Sequence, residues 1–546
     1  MDGLSANKPA WTLLDEAVQR FGPRPAVNFF GRRWTYAQIG AQVDRAAAGL
    51  QVMGAKPGVN IGLCLPNSPY SVIMYFAILK TGATVVNFNP LYTEHELTTQ
   101  LHEGKVSILV TIDAAVVMNK IMRLVDKGVL STVIVCTMAG ALPLLKAAGY
   151  RLFKAKDSAK IPVSRAYVPF AVLLKQDAAL APVRVEPELD VAVLQFTGGT
   201  TGIPKGAMLT HRNILANVQQ VLATNAAFNQ GQERALGVLP LFHVLAMTVV
   251  MNLGIAVGAE LLLIPKPDIK VIMGTIYQYR PTMLVGVPTL YTAISNAAEA
   301  AGKTDLTFIN YCVSGGAPLP AEVMERFHRI SGCSIIEGYG LSETSPVVAF
   351  NPAGQGKLAS VGVAVPGTVI EIRDPEHPAT ILPQGTRGEI CVRGPQVMRG
   401  YYNRPAETAD VMIEGALRSG DVGYLDEDGY LFIVDRIKDL IICGGYNVYP
   451  RIIEEAAYLH PAVQDAIAIG VPDKYRGQAP KVFVTLREGM SATPDELLAF
   501  LKARLNKIEM PKTVEIRDSL PKTMVGKLSK KELVAEEAAK NAVAGG

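Results

Sequence analysis

The chain has 546 residues, with 53 Lys+Arg against 49 Asp+Glu and a formal net charge of +4. That length leaves room for several domain-sized units around a large core, and so slight a basic excess excludes a chain built for nucleic acid. Hydrophobic residues at 49% and charged residues at 19% exclude a disordered or acidic-tail protein.

The first residues, MDGLSANKPAW, lack a basic stretch followed by an apolar run, so no secretory leader is expected. Cys64, Cys136, Cys312, Cys333, Cys391 and Cys443 are scattered, with no CxxC and no histidine at metal-ligand spacing. They are expected to be reduced and mostly buried, as in a cytosolic protein. Two apolar stretches, 61–79 and 235–259, resemble membrane spans in length. Pro66, Asn67 and Pro69 interrupt the first, and Pro240, His243 and Asn252 the second. Both read as strands and helices of a large α/β core.

From residue 61 to about 340, short apolar runs alternate with helical patterns. The sequence predicts a strand over 191–196 and a helix over 212–222. It then predicts a strand over 282–285, a helix over 289–301, a strand over 310–313 and a helix over 320–330. This alternation predicts parallel sheets with crossover helices. Near Asn351 the texture changes. Segments 369–373, 388–393 and 429–434 are short strands between Gly/Pro turns, as in a small antiparallel barrel or sheet. After Asp435 come a helix over 451–459 and a strand over 481–486. A helix from Thr493 to Leu505 follows, with Glu496 completing its capping box, and a charged helix over 530–541 ends the pattern. The expected fold class is α/β: a large N-terminal domain of parallel α/β subdomains plus a small β-barrel, followed by a small α+β C-terminal domain. Its boundaries fall at 1–436 (α/β subdomains about 1–345, barrel about 346–435) and 437–546.

The sharpest motif is Thr197-Gly-Gly-Thr-Thr-Gly-Ile-Pro-Lys-Gly206, expected between a buried strand and a helix. Gly198, Gly199 and Gly202 let backbone N–H groups turn toward an anion. Thr200 and Thr201 add hydroxyls, and Lys205 adds charge. The order Pro-Lys-Gly is not that of a Walker A loop. With Ala207-Met-Leu-Thr-His211 after it, the decamer resembles the signature of adenylate-forming enzymes. That group includes acyl-CoA synthetases, aryl-CoA ligases, luciferases and non-ribosomal adenylation domains. Further motifs in the same order extend the resemblance over essentially the whole chain.

The resemblance implies a role for each motif. Ser314-Gly-Gly-Ala-Pro-Leu319 would lie against adenine through Gly316 and Ala317. In Glu337-Gly-Tyr-Gly-Leu-Ser-Glu343, Tyr339 offers a flat face to a purine, and Gly338 and Gly340 allow close approach. Ser342 keeps the hydroxyl of the family's usual threonine, and Glu343 is an oxygen ligand for Mg2+, with Thr197 as its neighbour at the metal. Asp421 would accept both ribose hydroxyls, although Ala416 and Ser419 stand where relatives usually carry Trp and Thr. Arg436 would touch ribose or phosphate, and Lys438 would be the hinge. Gly444 and Gly445 would approach the pantetheine of CoA. Lys527 matches the catalytic lysine, with Glu343 and Thr200 as its catalytic companions. Lys522, Lys530 and Lys531 read as solvated charges.

The implied chemistry is adenylation of a carboxylate by ATP with Mg2+, then transfer of the acyl group to coenzyme A. The acid pocket in relatives is built from segments matching 239–259 and 282–291, which places His243 and Val287 at the substrate. Segment 239–259 holds no acidic residue to pair with an α-amine. Ile442 stands where aryl ligases often carry lysine. Several blocks, 388–398 and 446–450 among them, resemble bacterial long-chain fatty-acid:CoA ligases. A medium- or long-chain fatty acid is therefore the expected substrate. An aryl acid such as a hydroxycinnamate, or delivery to a carrier protein, is the alternative. The expected partner is a small-molecule carboxylic acid and no nucleic acid. The expected compartment is the cytoplasm, with peripheral contact at the inner face of the membrane and a homodimer both left open.

Overall fold

The computed structural model describes residues 7–175, 178–197, 204–224, 228–317, 319–352, 354–443, 446–473, 475–523 and 528–544. Two large sheets dominate. A seven-stranded sheet runs, in spatial order, Tyr167–Pro169, Thr132–Cys136, Ile108–Ile112, Asn60–Cys64, Thr84–Asn87, Val191–Thr197 and Lys205–Thr210. Its pairings are parallel up to Val191–Thr197, and the last pair is antiparallel. The strands Asn60–Cys64, Thr84–Asn87 and Ile108–Ile112 are buried at every position. Strands covered on both faces read as continuous apolar runs, which is why the sequence shows them so clearly.

A nine-stranded sheet has a parallel centre. Ile335–Gly340, Tyr311–Gly315, Met283–Gly286, Arg234–Gly237, Glu260–Leu263 and Pro25–Phe29 lie side by side in that order. Val347–Phe350 and Arg32–Thr35 flank that centre as antiparallel strands. The predicted strands and helices between 282 and 330 are present, each shifted by a residue or two.

The helix Pro69–Lys80 explains the first span-like stretch. Ser68 and Ser71 form its capping box, and every residue from Pro69 to Leu79 is buried. A helix that is apolar all round belongs inside a large core. Among its few polar groups, the Tyr75 hydroxyl accepts from Asn252 Nδ2 at 3.3 Å. The second stretch holds the strand Arg234–Gly237 and a buried π-helical segment Ala246–Asn252. Among the described residues no helix is long and apolar enough to cross a membrane.

A five-stranded antiparallel sheet follows. Val369–Arg373 pairs with Gly388–Arg393, which pairs with Ala416–Leu425; Met412–Ile413 and Leu431–Arg436 both pair with the last. Arg373 is fully buried there and bridges Glu371 at 2.7 Å and Glu414 at 3.1 Å. The remainder is α+β. Its strands Ile441–Cys443, Tyr446–Val448, Val463–Asp473, Gly477–Leu486 and Thr513–Ile516 form one sheet. Helices Pro450–Tyr458 and Pro494–Lys502 pack a separate core on it through Ile453, Leu497 and Leu501. The Thr493–Glu496 capping box is present, but the helix ends at Lys502, short of Leu505. All six cysteines are buried thiols.

Two local expectations change. The glycine-rich loop leads into a strand, not a helix. Lys205–Thr210 folds back antiparallel on Val191–Thr197, and the helix starts only at His211. The hairpin prevails because Ala207 and Leu209 point into the core, and because segment 399–402 pairs with its other edge through Met208 N–H to Gly400 O at 2.9 Å. Lys530 is not a solvated charge either. It bridges Glu454 at 3.2 Å with its side chain 24% exposed. Lys522 bridges Asp465 at 2.9 Å.

Candidate active site

Open parallel sheets expose loops at the carboxyl ends of their strands, and ligands bind there. In the nine-stranded sheet that edge gathers predicted site residues from four adjacent parallel strands. His243 follows Arg234–Gly237, Val287 follows Met283–Gly286, Gly316 and Ala317 follow Tyr311–Gly315, and Gly338 to Gly340 end Ile335–Gly340. Gly316 has φ +80°, which an L side chain rarely adopts, so the turn itself calls for glycine. Gly340 is required for another reason: a Cβ there would collide with the Pro346 carbonyl.

Glu337 ties two of these loops together. Its Oε1 accepts the Leu319 N–H at 3.1 Å, just beyond the Gly316–Ala317 turn. Burial pushes its carboxyl up to about 7, opposed by Arg451 and by the Leu319 hydrogen bond.

The Asp421 carboxylate is held firmly. Asp421 is 4% exposed. The Tyr339 hydroxyl donates to its Oδ2 at 2.6 Å, and Arg436 Nε lies 3.0 Å from Oδ1. Asp421 and Arg436 are register partners on neighbouring strands, so the pairing of Ala416–Leu425 with Leu431–Arg436 sets the contact. Two further lone pairs of the carboxylate remain to accept hydroxyls. Tyr339 is buried, and burial followed by the charge of Asp421 raises its phenol above the usual range.

Glu343 sits on the short 3₁₀ turn Ser342–Thr344. The Tyr401 hydroxyl donates to its Oε1 at 2.8 Å. Lys205 Nζ lies 5.2 Å from the centroid of the Tyr401 ring. Tyr401 thus links the lysine of the glycine-rich motif to the carboxylate of a motif some 140 residues downstream. The sequence reading missed it, because pairing of segment 399–402 with the distant strand Lys205–Thr210 brings it there. Among the described residues no group of three or more His, Cys, Asp or Glu is placed to hold a metal. Glu343 therefore offers one carboxylate with one oxygen committed to Tyr401. That donor set fits Mg2+, which keeps waters and substrate phosphates as its other ligands. Thr197 is half-buried at the end of its strand, paired in register with Lys205.

The loop bearing His243 is held by amides. Asn87 Nδ2 donates to Gln195 Oε1, and Gln195 Nε2 donates to the Phe242 carbonyl, both at 3.1 Å. The loop bearing His243 is thereby fixed to the strand that enters the glycine-rich motif. His243 is half-buried, and its Nδ1 accepts the Leu245 N–H at 3.3 Å. Val287 is 4% exposed. Ile442 is 47% exposed on the strand Ile441–Cys443.

Lys438 lies on a 3₁₀ turn directly after Arg436. Burial and the Arg436 charge lower its ammonium pKa, while Asp421 and Glu343 act in the opposite direction, so it stands in the field of both carboxylates. Asp435 accepts the N–H of Arg451 at 2.8 Å across the same junction. Gly198, Gly199, Thr200, Thr201, Gly202, Gly444, Gly445 and Lys527 lie outside the described residues.

The chain belongs to the AMP-binding enzyme family: the model of that family matches residues 14–402, and that of the AMP-binding enzyme C-terminal domain matches 452–527. It is 41% identical over 535 residues to a long-chain-fatty-acid–CoA ligase of Bacillus subtilis, covering 97% of this chain and 95% of that one. It is 35% identical to a feruloyl-CoA synthase of Amycolatopsis, over 93% of this chain and 95% of that one. Among solved structures it resembles ATP-bound MatB from Rhodopseudomonas palustris, at TM-score 0.82 and 28% identity over 97% of this chain and 99% of that one.

Proposed function

We propose that the chain is an ATP-dependent ligase. It activates a medium- or long-chain fatty acid as the acyl-adenylate, releasing pyrophosphate, and passes the acyl group to the thiol of coenzyme A, releasing AMP. The observation that carries this reading is the meeting of Tyr339, from the end of a parallel strand, with Asp421 and Arg436 of the small antiparallel sheet, in a chain whose relatives include a long-chain-fatty-acid–CoA ligase. Asp421 presents its remaining lone pairs to the ribose hydroxyls, and its two partners hold its orientation. Glu343 and Lys205 face the phosphates, with Mg2+ supplying charge neutralisation there when bound. Little covalent help is needed for this displacement, so positioning and charge carry the rate.

The domain reading belongs to the same proposal. Residues 1–436 bind the nucleotide and acid. Residues 437–546 turn about Lys438, bringing Lys527 for the first step and Gly444 and Gly445 for the second. The absence of acidic side chains over 239–259 supports an apolar acyl group. Peripheral contact with a membrane is part of the reading, because a long-chain acid partitions into lipid. One observation favours an aryl acid instead, the likeness to a feruloyl-CoA synthase.

The test is pyrophosphate release with ATP, Mg2+ and CoA across acids from acetate to oleate, plus ferulate and coumarate. A maximum among the fatty acids is expected, and a maximum on ferulate would replace the fatty acid by an aryl acid. Lys527→Ala is expected to lower adenylation by at least about a hundredfold while ATP still binds. Undiminished activity in that variant would sink the mechanism.

A further inference from the structure

The helix Leu144–Phe153 is built inside out. Its buried residue is Ala147, and Tyr150 packs on the main core beside it. The opposite side carries Leu144 and Leu145, each 90% exposed, with Leu152 at 74% and Phe153 at 82%. Leu144, Ala148 and Leu152 recur every four residues, and Leu145 lies alongside, so the exposed residues form one continuous apolar stripe. A single exposed leucine needs no explanation, but a contiguous stripe does.

The charge around the stripe has one sign. Segment 144–165 holds Lys146, Arg151, Lys154, Lys156, Lys160 and Arg165 against the single acid Asp157, in a chain whose whole net charge is +4. Only Lys154 pairs with that acid, at 3.5 Å. The helix is fixed to the body of the protein at its start. Lys146 Nζ donates to the Phe30 carbonyl at 2.8 Å, and Arg32 donates to the carbonyls of Gly140 at 2.5 Å and Leu142 at 3.4 Å. Arg32 also lines an adjoining open pocket of about 400 Å3, together with Arg33, Arg45, Gln38 and Gln42. Arg33 is committed to Glu260 at 2.6 Å. An apolar stripe and an arginine-lined pocket thus adjoin on the surface.

We infer that this face seats the protein on an anionic lipid bilayer, with Leu144, Leu145, Leu152 and Phe153 in the interfacial layer and the surrounding cations on phosphate head groups. Leucine and phenylalanine on one face with Lys/Arg around them is the composition of interfacial helices. A second copy of the chain fits poorly, because a two-fold contact would set the same cationic excess against itself. The inference sharpens the membrane contact proposed above. It does not depend on the ligase chemistry.

The experiment is co-sedimentation of the full chain with vesicles of phosphatidylcholine alone and of phosphatidylcholine with phosphatidylglycerol. Binding to the anionic vesicles is expected, weakening as salt rises. Leu145→Ser and Leu152→Ser should each lower binding about tenfold, and Arg151→Glu with Lys156→Glu should lower it further. These residues are exposed, so the melting temperature should not move. Acyl-CoA formation from octanoate without vesicles should also be unchanged in the variants, which reads the ligase proposal separately. No binding to anionic vesicles at low salt, or equal binding by wild type and the leucine variants, would overturn the inference. Self-association that needs Leu145 and occurs without vesicle binding would also overturn it, in favour of a second copy.

Discussion

Two buried titratable residues flank the nucleotide motifs and respond to pH with opposite sign. Glu337 has its pKa raised by burial to about 7, from an ordinary 4.5. Its stabilising protonated form is complete below about pH 4.5, and its contribution is lost as pH rises through 7. His211 is lowered by burial to about 4, from 6.5. Its Nδ1 accepts the Ala10 N–H at 3.0 Å, and Trp11 packs edge-on against its ring. Its contribution is complete above pH 6.5 and is lost as pH falls through 4. Each shift corresponds to roughly 3 kcal/mol, so over most of the interval the two slopes cancel. Glu337→Gln keeps the acceptor for Leu319 and removes one slope. Its stability, relative to wild type, should rise with pH between about 4.5 and 7, as read by melting temperature across that range. A constant difference would show that Glu337 does not titrate there. Tyr401→Phe tests a second residue. Losing a hydrogen bond to a charged carboxylate costs about 1.5–3 kcal/mol, so the melting temperature should fall slightly, and ATP–pyrophosphate exchange should fall about tenfold or more at temperatures where the variant is folded.

At the scale of elements, the small antiparallel sheet makes a clear demand. Arg373 is buried with Glu371 and Glu414 as its charged partners. Breaking a buried pair leaves an uncompensated charge, so Glu371→Ala should cost about 3 kcal/mol or more in urea unfolding. A cost under about 1 kcal/mol would mean that Glu414 alone suffices. Legibility also divides at this scale. The parallel strands were readable because burial on both faces writes them as apolar runs. The strand Lys205–Thr210 was not, since KGAMLT has no strong period and its pairing partners lie in other segments. Asp421, Tyr339 and Glu343 could be singled out from motifs, but not the Tyr339–Asp421 and Tyr401–Glu343 hydrogen bonds. Those follow from the packing of segments far apart in sequence, which no local pattern encodes. Helix 144–153 escaped notice because its outward apolar face mimics an ordinary core stripe.

At the scale of the whole molecule, a side-chain ion pair spans the large and small halves. Arg487 bridges Glu322 at 2.5 Å, both partly exposed. Such exposed pairs contribute about 0–1 kcal/mol. Glu322→Ala should therefore leave the melting temperature nearly unchanged. If the halves must rotate between the two chemical steps, it should alter the rate of acyl transfer to CoA more than that of adenylation. Equal effects on both steps would argue against this pair as a brake on rotation.

The buried helix Pro69–Lys80 has a consequence for how the chain is made. Tyr75 finds its hydrogen-bond partner in Asn252, 177 residues later. At ordinary ribosomal speeds that interval lasts roughly ten to thirty seconds. The helix and strands that Pro69–Lys80 packs on, Tyr36–Val52, Pro25–Phe29, Asn60–Cys64 and Thr84–Asn87, are made just before or just after it, so its apolar surface is covered early in translation and the Tyr75 hydroxyl alone waits for Asn252.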